Sequence, residues 1–265
     1  MTAVLLDIDG VLQLSGRALP GAGEAVAALR ADGHRLRFVT NNTVRSRATL
    51  AAELRALGVD VGEDELETTP VAAAHSLAGL RVLALTMAAV REDLALGVEL
   101  VDEHADVVLV GGADETDEVG DVFAWERLDR AFGELERGAR LVCLHRNRWW
   151  MTADGLRLDS GAVVAGLEYA AGVEAELVGK PSPAYFEAAL AALAVAPGDA
   201  VMVGDDVESD VSAAQRLGLH GVLVRTGKFR EDTLAVASPA PDAVLDSVAE
   251  LPAHLAARAR AESGS

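Results

Sequence analysis

Asp7-Ile8-Asp9-Gly10-Val11 sets two carboxylates two residues apart at the end of a short apolar run. One carboxylate can attack an electrophile and hold it covalently. A second can carry a proton to or from the reacting group. Gly10 lets the chain bend and a ligand come close. On its own the same piece also reads as a turn capped by aspartate. Three further pieces add complementary chemistry. Thr40-Asn41-Asn42-Thr43 offers a hydroxyl and a helix N-terminus to an anion, or is an ordinary N-cap cluster. Gly179-Lys180-Pro181 places a cation that can neutralise a phosphate, although most lysines are solvated surface charges. Gly204-Asp205-Asp206, with Glu208, Ser209 and Asp210 following, gathers like charges in one turn. That costs energy unless a cation sits among them, and hard oxygen ligands suit Mg2+.

The elements that must hold these pieces alternate. Ala3–Ile8 reads as a buried strand, followed by a helix with Ala22, Ala25, Val26 and Leu29 on one face and Gly33 at its stop. Leu36–Val39 is the next strand, and Leu50, Leu54 and Leu57 mark a helix ended by Gly58. This order predicts a doubly wound parallel sheet covered by helices, an α/β fold. Near residue 70 the rhythm changes: Val82–Leu85, Val107–Val110 and Leu141–Leu144 read as strands, Phe123–Leu135 and Val163–Ala171 as helices, and Ala113–Asp121 as an exposed loop. From Leu177 the first rhythm returns. Ser182 caps a helix that starts at Pro183, Ala200–Val203 and Val222–Val224 are strands, and Ser209–Leu217 is a helix closed by Gly218. A helix near Val248–Arg258 ends the fold, with Ala261–Ser265 a frayed tail. All four chemical pieces fall at strand ends in the two outer segments, the edge where parallel sheets bind ligands.

Composition narrows the choice. The 265 residues are 51% hydrophobic and carry a net charge of −19, from 23 basic and 42 acidic side chains. Such a surface argues against nucleic acid and anionic membranes as partners. No apolar run approaches the roughly 18 residues of a membrane span. Asp7 and Asp9 interrupt the only apolar stretch near the start, so no signal peptide is expected there. One cysteine, Cys143, excludes an internal disulfide and a cysteine-based zinc site and suits a reducing cytoplasm. Two glycine-rich pieces mislead. Gly21-Ala22-Gly23-Glu24-Ala25-Val26 is a poor dinucleotide fingerprint, well past the first strand. Gly227-Lys228 lacks the upstream glycine of a phosphate-binding P-loop and is followed by Phe229.

In this order, each at a strand end, the four pieces resemble the motifs of the haloacid dehalogenase-like hydrolases, and the resemblance runs over essentially the whole chain. The segment between the second and third motifs resembles that family's larger α/β cap of the second type. The resemblance therefore implies a Rossmann-like core of residues 1–70 plus 179–265 and an inserted cap of residues 71–178. Leu144-His145-Arg146-Asn147-Arg148-Trp149-Trp150, Asp154-Gly155-Leu156 and Gly166-Leu167-Glu168-Tyr169-Ala170 are similar to the group of phospholysine phosphohistidine inorganic pyrophosphate phosphatases and their hydrolase-like domain-containing relatives. The phosphoglycolate and pyridoxal phosphate phosphatases usually carry a Thr-Asn-x-Asp element here, so Arg and Trp argue against those two substrates.

The resemblance implies a Mg2+-dependent phosphatase for a small phosphorylated metabolite. Asp7 would be the nucleophile and Asp9 the acid and base. Asp7, the Asp9 carbonyl and Asp205 would hold the metal. Thr40, Asn41 and Lys180 would bind phosphate, and Asp206 and Asp210 would support them from behind. Arg146, Asn147, Arg148 and Trp149 are the candidates for a substrate-facing cap loop, against the reading that paired tryptophans pack in a core or an interface. Relatives of this type suggest a homodimer. Asp9 excludes a dehalogenase, which needs no acid there, and the cap span has no lysine for the Schiff base of a phosphonate hydrolase. Two rival readings stand beside this one. The first is a phosphatase for inorganic pyrophosphate or a P–N bond. The second is a non-catalytic, phosphate- and Mg2+-binding regulatory protein, akin to response-regulator receivers but about twice their length.

Overall fold

Ala3–Asp7 is buried along its whole length, as a strand flanked on both sides and covered on both faces must be. A computed structural model describes residues 2–114, 116–152 and 155–263, which leaves Glu115 and Asp154 outside it. The fold is α/β and divides into two compact units. One comprises Met1–Thr40, Ala48–Glu67 and Ala189–Ser265, and the other Asn41–Arg47 and Thr68–Ala188.

The first unit is built on a six-stranded sheet. Its strands run in the order Ala243–Leu245, His220–Val224, Ala200–Gly204, Ala3–Asp7, Arg35–Thr40 and Leu66–Thr68. The pairs on either side of Ala3–Asp7 are parallel, with Leu6 opposite both Val203 and Phe38. The chain winds from Ala3–Asp7 to one side and then returns to its other side at Ala200–Gly204. The strand order therefore reverses between these two strands, which is where doubly wound sheets open a crevice. Helices Ala22–Ala31 and Arg47–Ala56 turn Ala25, Val26, Leu29, Leu50 and Leu54 into a core shared with Val4, Leu6, Phe38, Val201 and Val203. A short hairpin of Gln13–Leu14 against Arg17–Ala18 follows the first strand.

The second unit has a five-stranded sheet in the order Glu176–Leu177, Arg140–Cys143, Val107–Val110, Arg81–Leu85 and Glu99–Leu100, all pairs parallel. An antiparallel hairpin joins Trp149–Thr152 to Gly155–Leu158. Helices Trp125–Glu136 and Gly161–Ala171 pack on the sheet through Ala131, Leu135, Val164 and Leu167. Burial pushes the Cys143 thiol up to about 11, so at neutral pH it is a packed, protonated side chain.

Strand and helix expectations hold within a residue or two, with three corrections. Ala113–Asp121 is not all loop: Glu118–Val122 forms a helical turn because Val122 is buried in the apolar core of its unit. Ser209–Leu217 is not one regular helix. Residues Val207–Ser212 form a π-turn, and only Ala213–Arg216 is α-helical. The Asp206 side chain accepts from the amides of Glu208 and Ser209, and the amides of Asp210 and Val211 both point to the Asp206 carbonyl, which widens the turn. The last helix runs over Leu251–Ser263, so Ala261 to Ser263 are helical rather than frayed, and Gly264 and Ser265 lie outside the described residues.

One buried ion pair fastens the edge of the first sheet. Arg37 on strand Arg35–Thr40 reaches Glu67 with two guanidinium nitrogens, and both side chains are buried. Removing one partner leaves the other charge stranded in low dielectric. Glu67→Ala is expected to lower unfolding free energy by about 3 kcal/mol or more, measured by urea denaturation.

Candidate active site

Two strand ends meet at the point where the sheet order reverses. Asp7 is the last residue of Ala3–Asp7, and Asp205 follows Gly204 directly. The π-turn then carries Asp210 back to them. Asp7, Asp205 and Asp210 are 6%, 2% and 1% exposed, and one carboxylate oxygen from each lies within 4.8 Å of the others. Three buried acids this close repel one another strongly unless positive charge joins them. An all-oxygen set of hard carboxylates suits a divalent cation such as Mg2+ or Ca2+.

Backbone crowds this cluster. Gly10 has φ +87°, and a Cβ there would stand 1.9 Å from Asp205 Oδ2. Gly227 has φ +60°, and its Cβ would stand 2.0 Å from the same oxygen and 2.6 Å from the Gly10 Cα. Both positions combine a left-handed backbone with no room for a side chain. The segment Thr226-Gly227-Lys228 closes over them. Thr226 Oγ1 donates to the Gly10 carbonyl, and the Lys228 amide donates to Asp205 Oδ2 at 2.7 Å. Lys228 Nζ lies 3.9 Å from Asp206 Oδ2. Gly227-Lys228, dismissed as a motif from sequence, thus belongs to the site. A signal was available: the chain holds only two lysines, Lys180 and Lys228.

The remaining candidates take distinct places. Asp9 is exposed, and its Oδ1 accepts a 2.8 Å bond from Gln13 Nε2. Gln13 carried no sequence signal. Asp206 is half-buried and caps the π-turn, while its own amide donates to Asp210 Oδ2 at 3.3 Å. Thr40 is buried at the end of its strand. Asn41 and Lys180 both belong to the second unit and hold each other. Asn41 Nδ2 donates to the Lys180 carbonyl at 2.9 Å, and the Lys180 amide donates to Asn41 Oδ1 at 2.8 Å. Asn41 therefore spends its side chain on fixing the lysine loop.

In the second unit the Arg/Trp loop divides. Arg146 forks onto Glu168 with two bonds of 2.8 Å. Burial pushes the Glu168 carboxyl up, but the Ala175 amide and Arg146 outweigh it and hold it below its ordinary range. Arg146 is thereby engaged in packing helix Gly161–Ala171. Asn147, Arg148 and Trp149 are exposed. His145 is buried, with Nε2 3.2 Å from Ser160 Oγ and 3.4 Å from Asp159 Oδ1. Burial pulls its pKa down against the opposing pull of Asp159, so it is a neutral packing group at pH 7.

A model for haloacid dehalogenase-like hydrolases matches residues 4–99, and a second, HAD-hydrolase-like model matches residues 177–251. Human phospholysine phosphohistidine inorganic pyrophosphate phosphatase is 38% identical over 256 residues, covering 93% of this chain and 91% of that protein. The chain belongs to the haloacid dehalogenase-like hydrolases. Within the family it is an enzyme of the phosphatase kind. Its structure is similar to the p-nitrophenyl phosphatase of Archaeoglobus fulgidus, with a TM-score of 0.84 and 30% identity over 96% of this chain and 98% of that one. It is also similar to a glycerol phosphate phosphatase of Mycobacterium tuberculosis in complex with magnesium, with a TM-score of 0.80 and 29% identity over 93% of this chain and 76% of that one. No described helix is long and apolar enough to cross a membrane.

The clamp on Asp205 has a measurable consequence. Gly227→Ala must push Asp205 Oδ2 from its place. Divalent-cation affinity is expected to fall about 10-fold or more in isothermal titration calorimetry. Lys228→Ala keeps the amide and is expected to stay within about 3-fold of wild type.

Proposed function

We propose that this protein hydrolyses a small phosphorylated metabolite in a Mg2+-dependent reaction through an aspartyl-phosphate on Asp7. The observation that carries this reading is the buried trio Asp7, Asp205 and Asp210, with exposed Asp9 two residues past the first of them. We assign Mg2+ to Asp7, Asp205 and the Asp9 carbonyl, with Asp210 and Asp206 supporting them. When bound, the ion supplies the positive charge that offsets the acids and a phosphate dianion.

Asp7 attacks phosphorus, and the bond to the leaving oxygen breaks as Asp9 gives that oxygen its proton. Asp9 then takes a proton from the water that attacks the aspartyl-phosphate. Phosphate leaves, and both aspartates return to their first state. Two easier displacements replace one hard one. The Thr40 hydroxyl, the Asn41 amide and the Lys180 ammonium bind the phosphate oxygens, and the reciprocal Asn41–Lys180 bonds support this by fixing the lysine loop. Residues 71–178 serve as the cap that excludes water from the core of 1–70 plus 179–265. Arg146 being held by Glu168, substrate selection falls to Asn147, Arg148 and Trp149. The single, buried cysteine suits a cytoplasmic enzyme.

A second reading within this mechanism is hydrolysis of inorganic pyrophosphate or of a P–N bond. The 38% identity to the human enzyme that bears those substrates in its name favours it.

Phosphate release from a panel tests both readings, with and without Mg2+, for wild type and Asp7→Asn. The panel comprises 4-nitrophenyl phosphate, pyrophosphate, phospholysine, sugar phosphates and nucleotides. Turnover is expected only with Mg2+, and Asp7→Asn is expected to abolish it by a factor of about 1,000 or more. Turnover that survives Asp7→Asn removes the nucleophile from the proposal. The order of rates decides between ester and anhydride or P–N substrates.

A further inference from the structure

Asp9 presents a physical problem. An exposed aspartate side chain is free to sample several rotamers, yet a general acid works only when its proton is held on the line to the leaving oxygen. Gln13 supplies the constraint. Its side chain is 9% exposed and its Nε2 donates to Asp9 Oδ1 at 2.8 Å, so a buried anchor holds an exposed acid. The backbone of Gln13 brackets the same aspartate. The Gln13 amide donates to the Ile8 carbonyl at 3.1 Å, and the Gly10 amide donates to the Gln13 carbonyl at 2.7 Å. One residue therefore fixes both chain neighbours of Asp9 and its carboxylate. Gln13 also begins the hairpin Gln13–Leu14 against Arg17–Ala18, which ties the acid to that hairpin.

We propose that Gln13 is the positioning residue of the general acid: it occupies Asp9 Oδ1 and leaves Oδ2 as the oxygen that carries the proton to the leaving group. This rests on the role given to Asp9 above. In the first step the Asp7–P bond forms, the P–O bond to the leaving group breaks, and the Asp9 Oδ2 proton passes to the departing oxygen. An alkoxide needs that proton to leave, whereas 4-nitrophenolate leaves without it. Gln13 therefore matters for substrates in proportion to the basicity of the group they release.

The test is kcat/KM, which reports steps up to departure of the leaving group. It is measured with a primary alkyl phosphate and with 4-nitrophenyl phosphate at saturating Mg2+. Gln13→Met keeps the size of the side chain and removes the donor; Gln13→Leu is a second variant without it, and thermal unfolding verifies that each folds. Both are expected to lower kcat/KM for the alkyl phosphate by about 10-fold or more, while 4-nitrophenyl phosphate stays within about 3-fold of wild type. Equal falls on the two substrates, or an undiminished alkyl phosphate rate, overturn the proposal. Asp9→Asn separates the two layers of the argument. It is expected to show the same bias more strongly. If Asp9→Asn turns over the alkyl phosphate at the wild-type rate, the acid assignment itself has failed, whatever Gln13 does.

Discussion

Asp7, Asp205 and Asp210 bring three carboxylates within a few ångströms of one another in a place that water hardly reaches. Repulsion between like charges grows as the dielectric falls, and desolvation penalises each charge besides. The fold brings them together by two independent means. A reversal of strand order aligns Asp7 with Asp205, and a widened turn swings Asp210 in beside them. Like charges this close oppose one another, and in the proposed reading the same gathering is what would draw a hard cation and, through it, a phosphate. Stability and function pull in opposite directions at this one point, and the surrounding sheet core provides the stability that tolerates it.

The proposed phosphate-binding groups are anchored separately. Asn41 and Lys180 are tied by two reciprocal bonds within the second unit, 139 residues apart in sequence. That tie fixes the loop that carries the ammonium, whereas close backbone at Gly10 and Gly227 hems in Asp205. The two kinds of support suit their charges. A lysine on a long flexible stem needs its base held, while short aspartates need only the correct turn beneath them.

Much of this was legible in the sequence because the informative groups lie next to the elements that aim them. Asp7, Asp9 and Asp205 follow runs of β-branched and leucine residues, and a strand end points its following residues at the crevice whatever the rest of the chain does. What the sequence concealed is contact across long stretches of chain. Gly227-Lys228 looks like a failed motif until the strand His220–Val224 delivers it to Asp205. The π-turn was hidden because its cause, Asp206 bonding two following amides, competes with a regular helix over the same residues. Arg146 looked available for substrate, and nothing in its neighbourhood of sequence announces that Glu168 holds it.

The two glycines that press against Asp205 also divide the molecule by its capacity to change. At Gly10 and Gly227 even a methyl group would displace the carboxylate, so the space around Asp205 admits almost no variation. The side chains of Asn147, Arg148 and Trp149 are exposed, although Gly161 packs closely on the backbone of Asn147. With substrate selection placed on those side chains, as proposed, a lineage built on this scaffold can alter what it accepts without touching how it reacts. The glycines beside Asp205 leave no such latitude at the proposed reaction centre.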